Sequence, residues 1–199
     1  MATKRSDENQ PESPLGERRE QIKKAALKVF AQRGIAGTKM SMIAAEAGIS
    51  QGLSYRYFSS KEELFVVLVQ DALEEAQTAI KQIHQLPGSP LAQIKALTIQ
   101  MLDENHKQYF LLLRQAQTSE DVPLQAQQLL EQYSSEDTIR LLVPIFQRGQ
   151  QAGEIREGSP ERLLFLYFSV VTGLMLQDVN LPEGYWVQEV DYLMRILTK

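Results

Sequence analysis

Gly37-Thr-Lys-Met-Ser-Met-Ile-Ala-Ala-Glu-Ala-Gly-Ile-Ser-Gln-Gly-Leu-Ser-Tyr-Arg-Tyr-Phe-Ser-Ser-Lys-Glu-Glu-Leu64 is the stretch that decides the fold. It reads as two short helices around a tight turn. Ile43, Ala44, Ala47 and Ile49 supply a small apolar contact, and the alanines let the two axes approach closely. Gly48 breaks the first helix and supplies the turn. Ser50 is placed to cap a second helix over 51–58. That helix opens with polar groups and with Gly52, which has no side chain to hold the backbone away from a partner. In a helix-turn-helix, the first residues of the second helix meet base edges in the major groove.

Upstream, Ile22, Ala25, Ala26, Val29 and Phe30 follow the i, i+3, i+4, i+7, i+8 rhythm of one apolar helix face. Gly34 ends that helix, with Arg33 in its last turn. Residues 1–15 lack apolar periodicity and read as a disordered tail, with Lys4 and Arg5 placed to trail into a minor groove. Downstream, Ser59 or Ser60 caps a long helix over 61–85, stopped by Pro87-Gly88-Ser89-Pro90. Further helices are expected near 90–104, 106–118, 123–151 (with a break at Ser134-Ser135 allowed), 160–179 and 184–197. No window alternates as a strand would, so the chain reads as all-α, about nine helices.

The formal charge of −4 hides an asymmetry. Residues 1–61 hold 11 Lys and Arg against 6 Asp and Glu, and the remainder holds 10 against 19. A basic head on an acidic body places any polyanionic partner at the head. The chain has no cysteine, which excludes disulfides and thiolate metal sites and suits a reducing, cytoplasmic setting. Its opening residues are too polar for a secretory signal. The apolar run from Leu164 to Leu176 is too short to span a membrane.

Residues 17–68 resemble the DNA-binding domain of tetracycline-repressor (TetR) regulators. The resemblance rests on Ile43-Ala44, Ala47-Gly48-Ile49-Ser50, Tyr55-Arg56-Tyr57-Phe58 and Lys61-Glu62-Glu63-Leu64. It implies a DNA-binding domain over 16–62, with the motif near 39–58, and a helical ligand-sensing and dimerisation domain over 63–199. It also implies roles residue by residue. Thr38 and Lys39 would grip phosphate at the start of the first short helix. Ser41, Gln51, Leu53 and Arg56 would face the groove, with Ser50 and Gly52 at the helix start. Tyr55 and Tyr57 would contact phosphate or base edges, and Lys61 would take a phosphate. Phe58 reads as a core plug. Two departures stand out: Gln51 occupies a place often held by Lys, and Ser54 one usually held by Leu, Ile or Phe. Gln can bond adenine bidentately, and a hydroxyl at 54 would loosen the small core.

Beyond residue 70 the resemblance is architectural. The segment 160–179 is apolar nearly all round, and Gly173 permits close helix approach. Leu166, Val170, Gly173, Leu174, Tyr185, Trp186 and Leu193 are the expected homodimer interface. Met101, Asn105, His106, Tyr109, Phe110, Leu113, Arg114, Gln117, Leu141 and Phe146 offer apolar walls with a few polar groups, as a small-molecule pocket requires. The same residues also suit an ordinary core. Pro144 should kink its helix, by clash with the carbonyl of Arg140.

The two histidines, His84 and His106, stand far from any metal-ligand spacing, and no phosphate-cradling glycine loop appears. An enzyme is not expected, nor a metal or cofactor. The expected function is a transcriptional repressor on double-stranded operator DNA, released by a small, mainly apolar effector. The rival from another class is a helical ligand-binding or adaptor protein without operator binding.

Overall fold

Gly34 adopts φ +65°, and its amide donates back to the carbonyl of Phe30 at 2.8 Å. The first helix therefore stops where a β-carbon would be strained. The computed structural model describes residues 14–133, 135–177, 182 and 184–198, with main chain alone for 135–138. These form ten α-helices: α1 (Pro14–Arg33), α2 (Met40–Glu46), α3 (Gln51–Tyr55), α4 (Lys61–Lys81), α5 (Pro90–Met101), α6 (Glu104–Thr118), α7 (Leu124–Glu131), α8 (Ser135–Gln151), α9 (Pro160–Met175) and α10 (Tyr185–Met194). A 3-10 turn covers Ile83–Gln85, and no strand occurs among the described residues.

Serines start four of these helices by accepting an amide that has no partner in the first turn. Ser50 takes Leu53 N at 3.2 Å and Ser60 takes Glu63 N at 3.0 Å. Ser89 takes Ala92 N at 3.4 Å and Ser159 takes Arg162 N at 3.3 Å. Pro90 and Pro160 follow the last two at the helix start, where proline's missing donor is harmless.

Several expected boundaries move. Helix α1 begins at Pro14, inside the stretch read as tail; residues 1–13, with Lys4 and Arg5, lie outside the described residues. The 61–85 helix closes at Lys81 and tightens into the 3-10 turn. The span 123–151 is two helices, α7 ending at Glu131 and α8 beginning at Ser135, so ten helices replace nine. Helix α8 runs on through Pro144.

The chain divides into two compact units. One runs to Asp71 and includes Leu112–Leu130; the other holds Ala72–Leu111 and residues from Glu131 on. The expected boundary at 62/63 therefore falls inside the first unit. Leu64, Phe65 and Leu68 of α4 are fully buried, and Phe65 meets Phe30 edge to face at 5.1 Å. Gln115 Nε2 donates to the carbonyl of Ala31 at 3.0 Å, tying α6 to the end of α1. Each such large apolar side chain contributes about 1.5–3 kcal/mol on burial.

The second unit is built on Leu142, Ile145, Phe146, Leu164, Tyr167 and Val171, with Val190 and Leu197 from the C-terminal segment. Its core contains one polar pair. The hydroxyls of Tyr167 and Thr98 bond each other, and Thr98 donates onward to Ile94 O at 2.7 Å. Burial raises the Tyr167 phenol well above the usual tyrosine range, which the bond to Thr98 offsets only in part.

Candidate nucleic-acid interface

The motif is held from behind by α1. Gln21 Nε2 donates to the carbonyl of Ala47 at 2.7 Å, just where α2 ends. Arg19 donates to the carbonyl of Tyr57 at 3.2 Å, and its guanidinium lies 4.3 Å from the centre of the Phe58 ring. Lys28 pairs with Glu46 at 2.6 Å. Between the helices Gly48 takes φ +65°, a conformation costly for any other residue. Ile43, Ala44, Ala47 and Phe58 are buried beneath, so Phe58 is the plug the sequence suggested.

This bracing leaves α3 with a fixed inner side and a free outer one. Gln51, Gly52 and Arg56 are exposed, Tyr55 is 48% exposed, and Leu53 and Tyr57 are half-buried. A β-carbon added at Gly52 would meet no atom within 4 Å. Ser54 is buried, but its hydroxyl donates to the carbonyl of Gln51 at 2.7 Å. The expected loosening is therefore answered locally: the buried Ser54 hydroxyl is satisfied by the helix's own backbone. Helix α3 ends at Tyr55, short of the expected 58, because the chain turns to send Phe58 inward.

Lys39 and Ser41 are exposed at the start of α2, which has no side-chain cap. Thr38 and Lys61 are not free in the same way. Thr38 is 1% exposed, and its hydroxyl donates to Gly34 O at 2.6 Å. Lys61 Nζ donates to the carbonyls of Ile35 at 2.8 Å and Thr38 at 3.0 Å. Both expected phosphate ligands are thus engaged in closing the loop that precedes α2. Sequence reasoning also passed over Arg19 and Gln21, whose spacing on α1 signals only a polar face.

The expected pocket residues are divided between the two compact units. Leu113, Arg114 and Gln117 fall in the first unit and the other seven in the second. Asn105, Arg114 and Gln117 are exposed, whereas Phe146 is core and Met101 and Phe110 pack against it. His106 Nε2 lies 3.0 Å from Glu75, and its Nδ1 lies 3.6 Å from Asp103. Tyr109 is half-buried. Leu141, 49% exposed, faces a cleft of about 280 Å³ together with Ile80, His84 and Arg148.

The expected interface residues divide by face. Leu166 and Val170 are exposed, beside Phe165 at 64%, and Gly173 has no atom within 4 Å of its would-be β-carbon. Leu174, Trp186 and Leu193 instead pack against their own core, and Tyr185 meets Trp186 edge to face at 5.1 Å. Helix α9 is therefore apolar all round for two reasons: Leu164, Tyr167, Val171 and Met175 are buried, while Phe165, Leu166 and Val170 lie open. On α10, Val187 and Tyr192 are exposed as well.

Residues 22–68 match the family model described as bacterial regulatory proteins, tetR family. An uncharacterized HTH-type transcriptional regulator, YerO of Bacillus subtilis, is 33% identical over 103 residues, covering 50% of this chain but only 36% of that protein. The HTH-type transcriptional repressor KstR2 of Mycolicibacterium smegmatis is 26% identical over 165 residues, covering 81% of this chain and 78% of its own. Among solved structures, the ketosteroid transcriptional regulator KstR2 of Mycobacterium tuberculosis superposes with a TM-score of 0.67 at 20% identity, over 96% of this chain and 98% of that one. With a braced helix-turn-helix inside the matched segment, residues 22–68 form the N-terminal domain typical of the tetR family of bacterial regulatory proteins.

Proposed function

We propose that the chain is a homodimeric transcriptional repressor that grips operator DNA with α2 and α3 and leaves it when a small, mainly apolar ligand binds the C-terminal helices. The observation that carries this reading is the outer side of α3. Gln51, Gly52, Tyr55 and Arg56 stand open on a helix whose inner side is fixed by Phe58, Gly48 and the bonds from α1. Such a helix enters the major groove by its N-terminal end. Lys39 at the start of α2 supplies a phosphate contact. In this reading residues 16–62 read DNA, and 63–199 dimerise and sense the ligand in the cytoplasm.

The open side of α9 supports the dimer. Phe165, Leu166, Val170 and Gly173 recur at helical spacing, and contiguous apolar surface of this kind marks an interaction site. A two-fold dimer suits a reader of paired half-sites, one helical turn apart. Helix α4, 21 residues and about 32 Å at 1.5 Å per residue, runs from the first compact unit into the second and is the chain's covalent route from ligand to reader in this reading. Coupling of about 1–3 kcal/mol would weaken operator binding roughly 5- to 150-fold, and DNA would weaken ligand binding by the same factor.

Footprinting and anisotropy titrations on the DNA flanking the protein's own gene test the reading. Protection of one or more paired sites is expected, with affinity falling steeply in salt. Equal retention of every sequence tried would favour the adaptor reading instead.

A further inference from the structure

We propose that the cleft between the end of α4, the 3-10 turn and α8 binds a short amphiphilic carboxylate, its chain on an isoleucine floor and its head among Lys81, His84 and Arg148. That this ligand is the one that releases DNA rests on the function proposed above; that it binds does not.

The lining is sorted by chemistry. Ile80, Ile83 and Ile145 make an apolar floor, Leu141 and Pro144 a wall, and the rest of the lining is basic side chains with no carboxylate. Beyond residue 61 the chain carries 10 Lys and Arg against 19 Asp and Glu, so a basic rim here runs against its surroundings. Among the described residues neither Lys81 nor Arg148 forms an ion pair. Lys81 has only a long bond to Gln77, at 3.4 Å. Cations beside apolar surface, without acidic partners, are complementary to an anion that carries an apolar tail.

Spacing explains why floor and rim stay together. Leu141, Pro144, Ile145 and Arg148 follow i, i+3, i+4, i+7 and therefore share one face of α8. Pro144 adds an apolar ring where another residue would place an amide donor. Ile83 and Ile145 are fixed in the core, so the floor is preformed. The volume, about 280 Å³, equals roughly nine of the ~30 Å³ shares that water molecules take in the liquid. That suits a chain of about eight carbons with its head at the rim.

Calorimetric titration of the full-length protein with sodium octanoate and with 1-octanol tests this. Octanoate should bind once per chain and octanol about tenfold more weakly. The double variant Lys81→Gln, Arg148→Gln should hold octanoate about tenfold more weakly, with octanol unchanged and the melting temperature preserved, because both exchanged side chains are exposed. Equal affinities for octanoate and octanol, no octanoate binding at millimolar concentration, or wild-type octanoate affinity in the double variant would each overturn the site. The same titration repeated on the operator complex separates the two ideas. Octanoate binding that is equal with and without DNA would keep the site and remove it from the release mechanism.

Discussion

Lys61 holds Thr38 by its main chain: the ammonium donates to the carbonyl at 3.0 Å, while a second bond runs to Ile35 at 2.8 Å. A lysine at the start of α4 thereby fixes the loop from which α2 departs. Lys61→Met should cost about 1–2 kcal/mol in a denaturant titration, less than a fully buried charged bond because the side chain is part exposed. Operator affinity should fall, yet the slope of log affinity against log salt should stay put. Loss of a true phosphate ligand would flatten that slope by about one unit, and a flattened slope would return Lys61 to the DNA surface.

Gln51 stands exposed in the first turn of α3. Gln51→Ala should lose about 1–3 kcal/mol of operator affinity and relax discrimination at a single base pair, as a bidentate contact to adenine would. Binding measured against operators altered one pair at a time checks this. A uniform loss across all of them would make Gln51 a backbone contact.

Gly173 has room for a side chain within the single chain. Gly173→Arg should therefore leave the fold intact, and even favour α9 by about 0.5–1 kcal/mol of helix propensity. It should still place an unpaired charge in the middle of the open apolar side. Sedimentation should show folded monomers with weak DNA binding. A wild-type dimer from this variant would move the interface elsewhere.

The buried Tyr167 phenol makes stability depend on alkaline pH. An unfolded tyrosine ionises near pH ~10, and the folded one only above that. Past that point the unfolded chain gives up a proton that the folded chain keeps. Stability from this group is therefore complete below about pH 10 and falls as pH rises, by up to ~1.4 kcal/mol per unit. Tyr167→Phe should cost about 0.5–1.5 kcal/mol at neutral pH, through the lost donor to Thr98. It should also remove one proton's share of the alkaline decline, measured as unfolding free energy against pH.

What was legible in the sequence is what depends on local chemistry. Gly34 and Gly48, Ser89-Pro90 and Ser159-Pro160 mark helix ends wherever they fall, and the short motif from Ile43 to Phe58 carries its own turn and core. The pocket was not legible, because one list of apolar residues does not say which side of a helix each occupies. Leu141 and Phe146 are five positions apart, about 140° around α8 at 3.6 residues per turn, so one is open and the other core. The bonds of Thr38 and Lys61 within the chain were hidden for a similar reason. Their partners, Gly34, Ile35 and each other, meet only when α1 and α4 fold onto the loop. Leu166 and Val170 lie open because the apolar residues of α9 from Leu163 to Met175 go round more of the helix than its own core covers.

The vacancy above Gly52 sets a conflict between durability and task. Glycine is the weakest helix former in α3, and its β-carbon position is clear of every neighbour, so Gly52→Ala should strengthen the helix by up to about 1 kcal/mol. If the backbone there lies against the duplex, the same methyl group should push the operator away. Selection for a sturdier protein and selection for a tighter reader would then pull this one position in opposite directions. Larger side chains at 52 would offer a route to new operator sequences that leaves the scaffold untouched.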